Sequence, residues 1–119
     1  MKTTVVIGAS TNIERYSNRA VRQLLKHNVP VAAVGLKEGE IEGVKIQKGF
    51  PKIDNVDTVT LYIGPQHQAQ HLDYILSLKP RRVIFNPGTE NTEMQEKIKK
   101  AGIEILEACT LVMLSTGGY

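Results

Sequence analysis

Five short runs of β-branched and apolar residues alternate with longer stretches of helical periodicity. Thr3–Ile7 (Thr-Thr-Val-Val-Ile) reads as a buried strand ending at Gly8. Asn18–His27 carries Ala20, Val21, Leu24 and Leu25 on one helical face, Asn28 can close that helix, and Pro30 stops it. Val31–Val34 is a second strand. Gly35–Gly43 reads as a loop rich in glycine, lysine and glutamate, Val44–Ile46 fits a short edge strand, and Lys48–Asn55 is a connector. Thr58–Ile63 is the third main strand. Pro65 then opens a helix over Gln66–Ser77, with Ala69, Leu72, Ile75 and Leu76 as its apolar stripe. Arg82–Phe85 is the fourth strand and Asn86-Pro87-Gly88 a turn. Asn91 or Thr92 caps a helix to Lys100, with Met94 and Ile98 inward and Gly102 at its end. Ile103–Leu106 is the fifth strand. Ala108–Leu114 is an apolar tail with room for a last helical turn, and Ser115–Tyr119 is expected to fray.

Strands alternating with helices imply right-handed crossovers and a parallel sheet covered on both faces. The expected fold is α/β and doubly wound: a five-stranded, mostly parallel sheet in the order 3-2-1-4-5, in a single domain over residues 1–119. Such sheets bind ligands beyond the carboxyl ends of their strands. That directs attention to Gly8–Ser10, Gly35–Lys37, Tyr62–Pro65, Phe85–Gly88 and Glu107–Cys109.

Composition narrows the classes. With 41% hydrophobic and 23% charged residues the chain is ordinary globular protein, not a disordered one. No apolar run approaches the roughly 18 residues of a membrane span, and the start shows no signal-peptide pattern. The lone Cys109 cannot form an internal disulfide, which points to a reducing, cytoplasmic setting. The net charge of +3 would draw a small polyanion, but it is too scattered for nucleic acid, and 5% aromatics argue against a base-stacking surface.

The first strand runs into Gly8-Ala9-Ser10-Thr11-Asn12. A glycine there lets the backbone turn sharply and approach a phosphate. The helix that follows offers unpaired N–H groups and a positive dipole end to an anion. Ser10 and Ser17 add hydroxyl donors. The dinucleotide fingerprint is incomplete, because Ser10 and Ile13 stand where glycines are needed. The second strand ends in Val34-Gly35-Leu36-Lys37, where NAD binding wants a carboxylate. Lys37 cannot accept a hydrogen bond from a ribose hydroxyl but suits a ribose phosphate. NAD is thereby disfavoured, while NADP and coenzyme A (CoA) remain open. The competing reading of Lys37 is a solvated loop residue.

Other chemistry is thinner. His67 and His71 stand at i, i+4, a spacing that can hold a metal, but no third ligand is close in sequence. Cys109 follows the fifth strand and reads first as a small buried hydrophobe. Asp54, Asp57, Glu90 and Glu107 form no evident acid–base pair, and Ser10 lies outside any G-x-S-x-G context.

The stretch Val6-Ile7-Gly8-Ala9-Ser10-Thr11-Asn12-Ile13-Glu14-Arg15-Tyr16-Ser17 resembles the small CoA-binding proteins of Rossmann-like fold. These are similar to the N-terminal domain of the succinyl-CoA synthetase alpha subunit. Gly8, Ala9, Ser10, Asn12, Arg15 and Ser17 match the family pattern, with Ile13 in place of its usual proline. Lys37, Glu40, Ile41 and Gly43 match a second stretch, where Gly35-Leu36 replaces Asn-Pro. Pro65, Gly88 and Asn91 match a third.

The resemblance implies a CoA site on these loops. Gly8, Ala9 and Ser10, with Asn12, Arg15 and Ser17, would receive the pyrophosphate. Val34 and Lys37 would hold the adenosine and its 3′-phosphate. Tyr62, Ile63 and Pro65 would flank the adenine or the start of the pantetheine arm, and Asn86 and Gly88 would line its further course. The family's basic residues before the proline are Ile63 and Gly64 here, and the tail after Cys109 is largely apolar. The resulting expectation is a protein that binds CoA or an acyl-CoA without evident catalytic residues and without a metal. A small NADP-dependent reductase and a regulatory subunit of a CoA-ligase-like complex are the alternatives. The apolar tail leaves room for a homodimer, and neither nucleic acid nor membrane is expected as a partner.

Overall fold

The β-branched runs do become strands, because residues buried on both faces of a sheet favour Val, Ile and Thr. The computed structural model describes residues 2–119. The strands are β1 (Thr3–Ile7), β2 (Val31–Val34), β3 (Gly39–Ile41), β4 (Val44–Gln47), β5 (Val56–Leu61), β6 (Arg82–Phe85) and β7 (Glu104–Glu107). The helices are α1 (Tyr16–Lys26), α2 (Leu72–Leu78), α3 (Thr92–Lys100) and α4 (Thr110–Thr116).

The architecture is α/β and Rossmann-like, with a mostly parallel sheet, but two particulars of the sequence reading are overturned. The sheet has seven strands, not five, in the order β3-β4-β2-β1-β5-β6-β7, and its β3–β4 pair is antiparallel. The third main strand also lies elsewhere: β5 pairs directly with β1, on the side away from β2. The place beyond β2 is filled by the β3–β4 hairpin. Its turn is Glu42-Gly43, both at positive φ (45° and 87°), the geometry that suits the twist of a two-residue hairpin. Ile41 and Ile46 bury from this hairpin while Glu40 and Lys45 face solvent. With that edge occupied, the chain returns across the sheet through residues 48–55.

Two cores flank the sheet. Val5, Ile7, Val59, Leu61, Val83 and Phe85 meet Ile75, Met94 and Ile98 of α2 and α3. Val6, Ala33, Ile41 and Ile46 meet Val21, Leu24 and Leu114 of α1 and α4. The chain therefore leaves β1 toward one face and β5 toward the other, which opens a crevice between the carboxyl ends of these neighbours.

Helix ends follow local chemistry. The Asn91 side chain accepts from the Met94 N–H and caps α3, and Asn28 takes the left-handed conformation (φ 60°) just after α1. The helix expected over Gln66–Ser77 is two 3-10 turns, Pro65–His67 and Ala69–His71, followed by the shorter α2. The cause is Gln68, fully buried in place of Ala69. Its amide donates to the carbonyls of Ile63 (3.0 Å) and Thr89 (2.6 Å), which holds the chain off α geometry. Nor does the C-terminus fray. The Tyr119 ring lies 4.6 Å from the Arg82 guanidinium and its hydroxyl bonds with that of Thr4.

At the sheet's opposite rim, Arg81 grips Asp57 through two hydrogen bonds of 2.9 and 3.2 Å. These bonds, against an opposing effect of burial, hold the Asp57 carboxyl below the usual carboxylate range. Its contribution to stability is complete above about pH 4, the ordinary carboxylate value, and fades as the pH falls through the lowered one. Arg81 is half exposed, so solvent screening limits the effect. Asp57→Asn should lower stability by about 1 kcal/mol or less at neutral pH and flatten the acid limb of a urea-denaturation series.

Candidate functional site

The crevice between β1 and β5 is a cavity of about 580 Å³. Its floor exists because Gly8 and Gly35 carry no side chain. Gly8 sits at φ +100° with the Tyr62 carbonyl 2.7 Å from where a Cβ would be, and a Cβ on Gly35 would run into the carbonyl of Ala9. The loops after β1, β2 and β5 are thereby brought to near contact.

Gly8, Ala9, Ser10 and Arg15 line this cavity from the first loop, Val34 and Lys37 from the second, Tyr62 and Ile63 from the third. Gly8 and Lys37 therefore open onto one crevice. The Gly8 and Ala9 N–H groups are not free for an anion, since both donate to the Val34 carbonyl at 2.9 Å. Those residues shape the floor. Donors come from further along. The Ser10 hydroxyl accepts from the Asn12 N–H, which leaves its own proton to donate. No side chain caps α1 at Arg15, so the first-turn N–H groups of this 11-residue helix remain available.

Five sequence-derived candidates lie off the cavity. The Asn12 side chain caps the Glu14 N–H and shapes the loop. Ser17 is buried at the start of α1. Pro65 begins the first 3-10 turn, and its carbonyl accepts from Asn91. Gly88 is an exposed turn residue whose N–H bonds to Glu90. Asn86 is 1% exposed and fully engaged. Its Oδ1 accepts from the Thr110 N–H (2.9 Å), and its Nδ2 donates to Thr60 Oγ1 (2.6 Å) and the Leu61 carbonyl (2.8 Å).

Sequence reasoning missed other participants. Phe50, Gln70, His67 and His71 also line the cavity, with the Phe50 ring 5.6 Å from that of His71. In the sequence the histidines read as solvated helix polars at a spacing that can hold a metal. Their position just after a strand's carboxyl end was the usable clue. Asn18 and Arg22 brace the first loop from α1. Asn18 Nδ2 donates to the Ser10 carbonyl (2.8 Å), Arg22 Nε donates to Asn18 Oδ1 (2.8 Å), and an Arg22 Nη donates to the Ile13 carbonyl (3.0 Å).

The electrostatics are one-sided. Arg15, Lys37, His67 and His71 line the cavity, and among the described residues no carboxylate does. Burial pushes the Tyr62 phenol up to about 12, so it stays neutral. Its hydroxyl has no hydrogen-bond partner among the described residues. A larger groove of about 750 Å³ runs between residues 50–55 and α2, but Asp54 and Asp73 line it and no glycine loop does. Among the described residues no cluster of three or more His, Cys, Asp or Glu could hold a metal, and no helix is long and apolar enough to cross a membrane.

Known proteins resemble this chain in sequence and in fold. The family model described as "CoA binding domain" matches residues 2–115. The crystal structure of an uncharacterized protein is 50% identical, with 100% of this chain and 98% of that one covered at a TM-score of 0.96. A hypothetical protein from Pyrococcus horikoshii OT3 is 25% identical, covering 95% and 81% at a TM-score of 0.87. An acetyl-coenzyme A synthetase from Ca. Korarchaeum cryptofilum, solved with phosphate and ADP, is 19% identical with a TM-score of 0.72. It shares the fold over 89% of this chain and 25% of its own. No curated protein matches the chain.

Proposed function

The chain belongs to the CoA binding domain family, and from that membership we propose that it binds coenzyme A, or an acyl-CoA, in the crevice between β1 and β5. The observation that carries this reading is the cavity's charge pattern. Arg15 and Lys37 stand on a glycine-floored pocket that no carboxylate among the described residues lines. Phosphoryl groups are the ligand parts best matched to guanidinium, ammonium and free backbone N–H groups.

In this pose the pyrophosphate lies against Ser10, Arg15 and the first turn of α1. Val34 and Lys37 hold the adenosine and its 3′-phosphate. Tyr62 and Ile63 flank the adenine or the start of the pantetheine arm. Gly8 and Ala9 keep the floor low enough for close approach. Asn12 and Ser17 act through the shape of the loop and the helix start, and Pro65 through the turn it begins.

Calorimetric titration of wild type and Lys37→Glu with CoA, 3′-dephospho-CoA, NADP and NAD tests the assignment. A lost charge-assisted hydrogen bond costs about 1.5–3 kcal/mol, so the substitution should weaken CoA roughly ten- to a hundredfold. Binding of 3′-dephospho-CoA should change by less than about threefold, since it lacks the group Lys37 faces. Equal losses for both would show Lys37 to be misassigned. A wild type that ignores CoA and binds NADP would overturn the CoA reading itself.

A further inference from the structure

We infer that His67 and His71 are ligand-binding residues: a pair of imidazoles that meets a phosphoryl group of the nucleotide in the cavity they share with the Gly8 loop. The inference rests on the CoA reading and adds to it. Both residues line the same cavity as Arg15 and Lys37, each at the end of one of two consecutive 3-10 turns. His71 is half-buried and held in place, with Nδ1 3.2 Å from the His67 carbonyl and its ring edge-on to Phe50 at 5.6 Å. His67 is exposed.

Imidazole is the side chain whose charge ordinarily changes between about pH 5 and 8, so two of them on an anion site couple binding to protonation. The ionisable groups sharing the cavity are Arg15, Lys37 and the neutral Tyr62. The adjoining groove, which shares Phe50 and Gln70 with the cavity, brings Lys52, Asp54, Asp73 and Tyr74 to the other side of Phe50. Its two carboxylates do not line the pocket. A phosphoryl group inside the pocket favours the imidazolium form. Affinity should therefore be highest with both rings protonated and fall as the pH rises.

The test is the dissociation constant of CoA for wild type and His67→Gln/His71→Gln, measured from about pH 8 down to about pH 6. Wild type should tighten by roughly tenfold over that range, while the double variant changes by less than about threefold. Phosphate monoesters titrate in the same window, and the double variant reports that background. Pantetheine, which has no phosphate, should bind both proteins without a difference in pH slope. The exposed His67→Gln alone should show an intermediate slope, which keeps the test open if the double variant folds poorly. Parallel slopes for wild type and variants overturn the histidine assignment and leave the CoA reading standing. A wild type that binds no CoA at any pH, with Lys37→Glu equally silent, overturns both.

Discussion

Gly8→Val should abolish CoA binding and cost the fold about 3 kcal/mol or more. Two independent penalties meet at this position. The backbone stands at φ +100°, a conformation that L side chains and above all β-branched ones resist. The new Cβ would also lie 2.7 Å from the Tyr62 carbonyl and 3.1 Å from the Ile63 side chain. The Tyr62 backbone cannot easily retreat. The Tyr62 N–H is bonded to the Ile7 carbonyl at 2.8 Å, and the Gly8 N–H to that of Val34 at 2.9 Å. Relief would require parting β1 from β5 at the point where the crevice opens.

Gly88→Ala separates the two penalties, because φ there is +92° but nothing lies within 4 Å of the added Cβ. It should cost only about 1 kcal/mol, the conformational part alone. Urea denaturation and CoA titration of the two variants side by side check this. Equal stabilities would show that the close approach at Gly8 is unimportant. A Gly8→Val protein that still binds CoA would move the site elsewhere.

What could be read from the sequence was local. Periodicity placed the main strands and α3 because their apolar residues repeat at the spacing of the structures they form. The glycine at the end of β1 and the lysine after β2 pointed to one crevice because a parallel sheet gathers its carboxyl ends on one edge. Half of the β3–β4 hairpin is legible, since Val44–Ile46 reads as a short edge strand and is β4; β3 is hidden because it is three residues long, starts on a glycine and carries Glu40 on the outer face. Once that hairpin took the position beyond β2, the third main strand had to pair on the far side of β1. The roles of Gln68 and Tyr119 depend on partners 21 and 115 residues away, and no local pattern announces such contacts.

Asn86 stands just after a strand, yet its amide is taken up within the fold. Asn86→Leu, of the same branched shape though bulkier, should destabilise the protein by about 3 kcal/mol or more while changing the CoA dissociation constant less than about threefold. The substitution leaves the Thr110 N–H, the Thr60 hydroxyl and the Leu61 carbonyl without their partner in a region closed to water. Each buried polar group left unsatisfied costs about 1–3 kcal/mol, and relaxation or the remaining Thr60–Thr110 bond of 2.7 Å recovers part of the sum. The loss should fall first on α4, whose opening residue Asn86 ties to β5 and β6, so hydrogen exchange at 110–116 should rise ahead of global unfolding. Asn86→Asp is no rescue. It keeps an acceptor for the Thr110 N–H but turns a carboxylate toward the Leu61 carbonyl. Stability by denaturant and affinity by calorimetry, measured well below the melting temperature, distinguish the two roles. A stable Asn86→Leu protein with tenfold weaker CoA binding would restore Asn86 to the ligand's path, because only a direct contact could lower affinity and leave the fold intact.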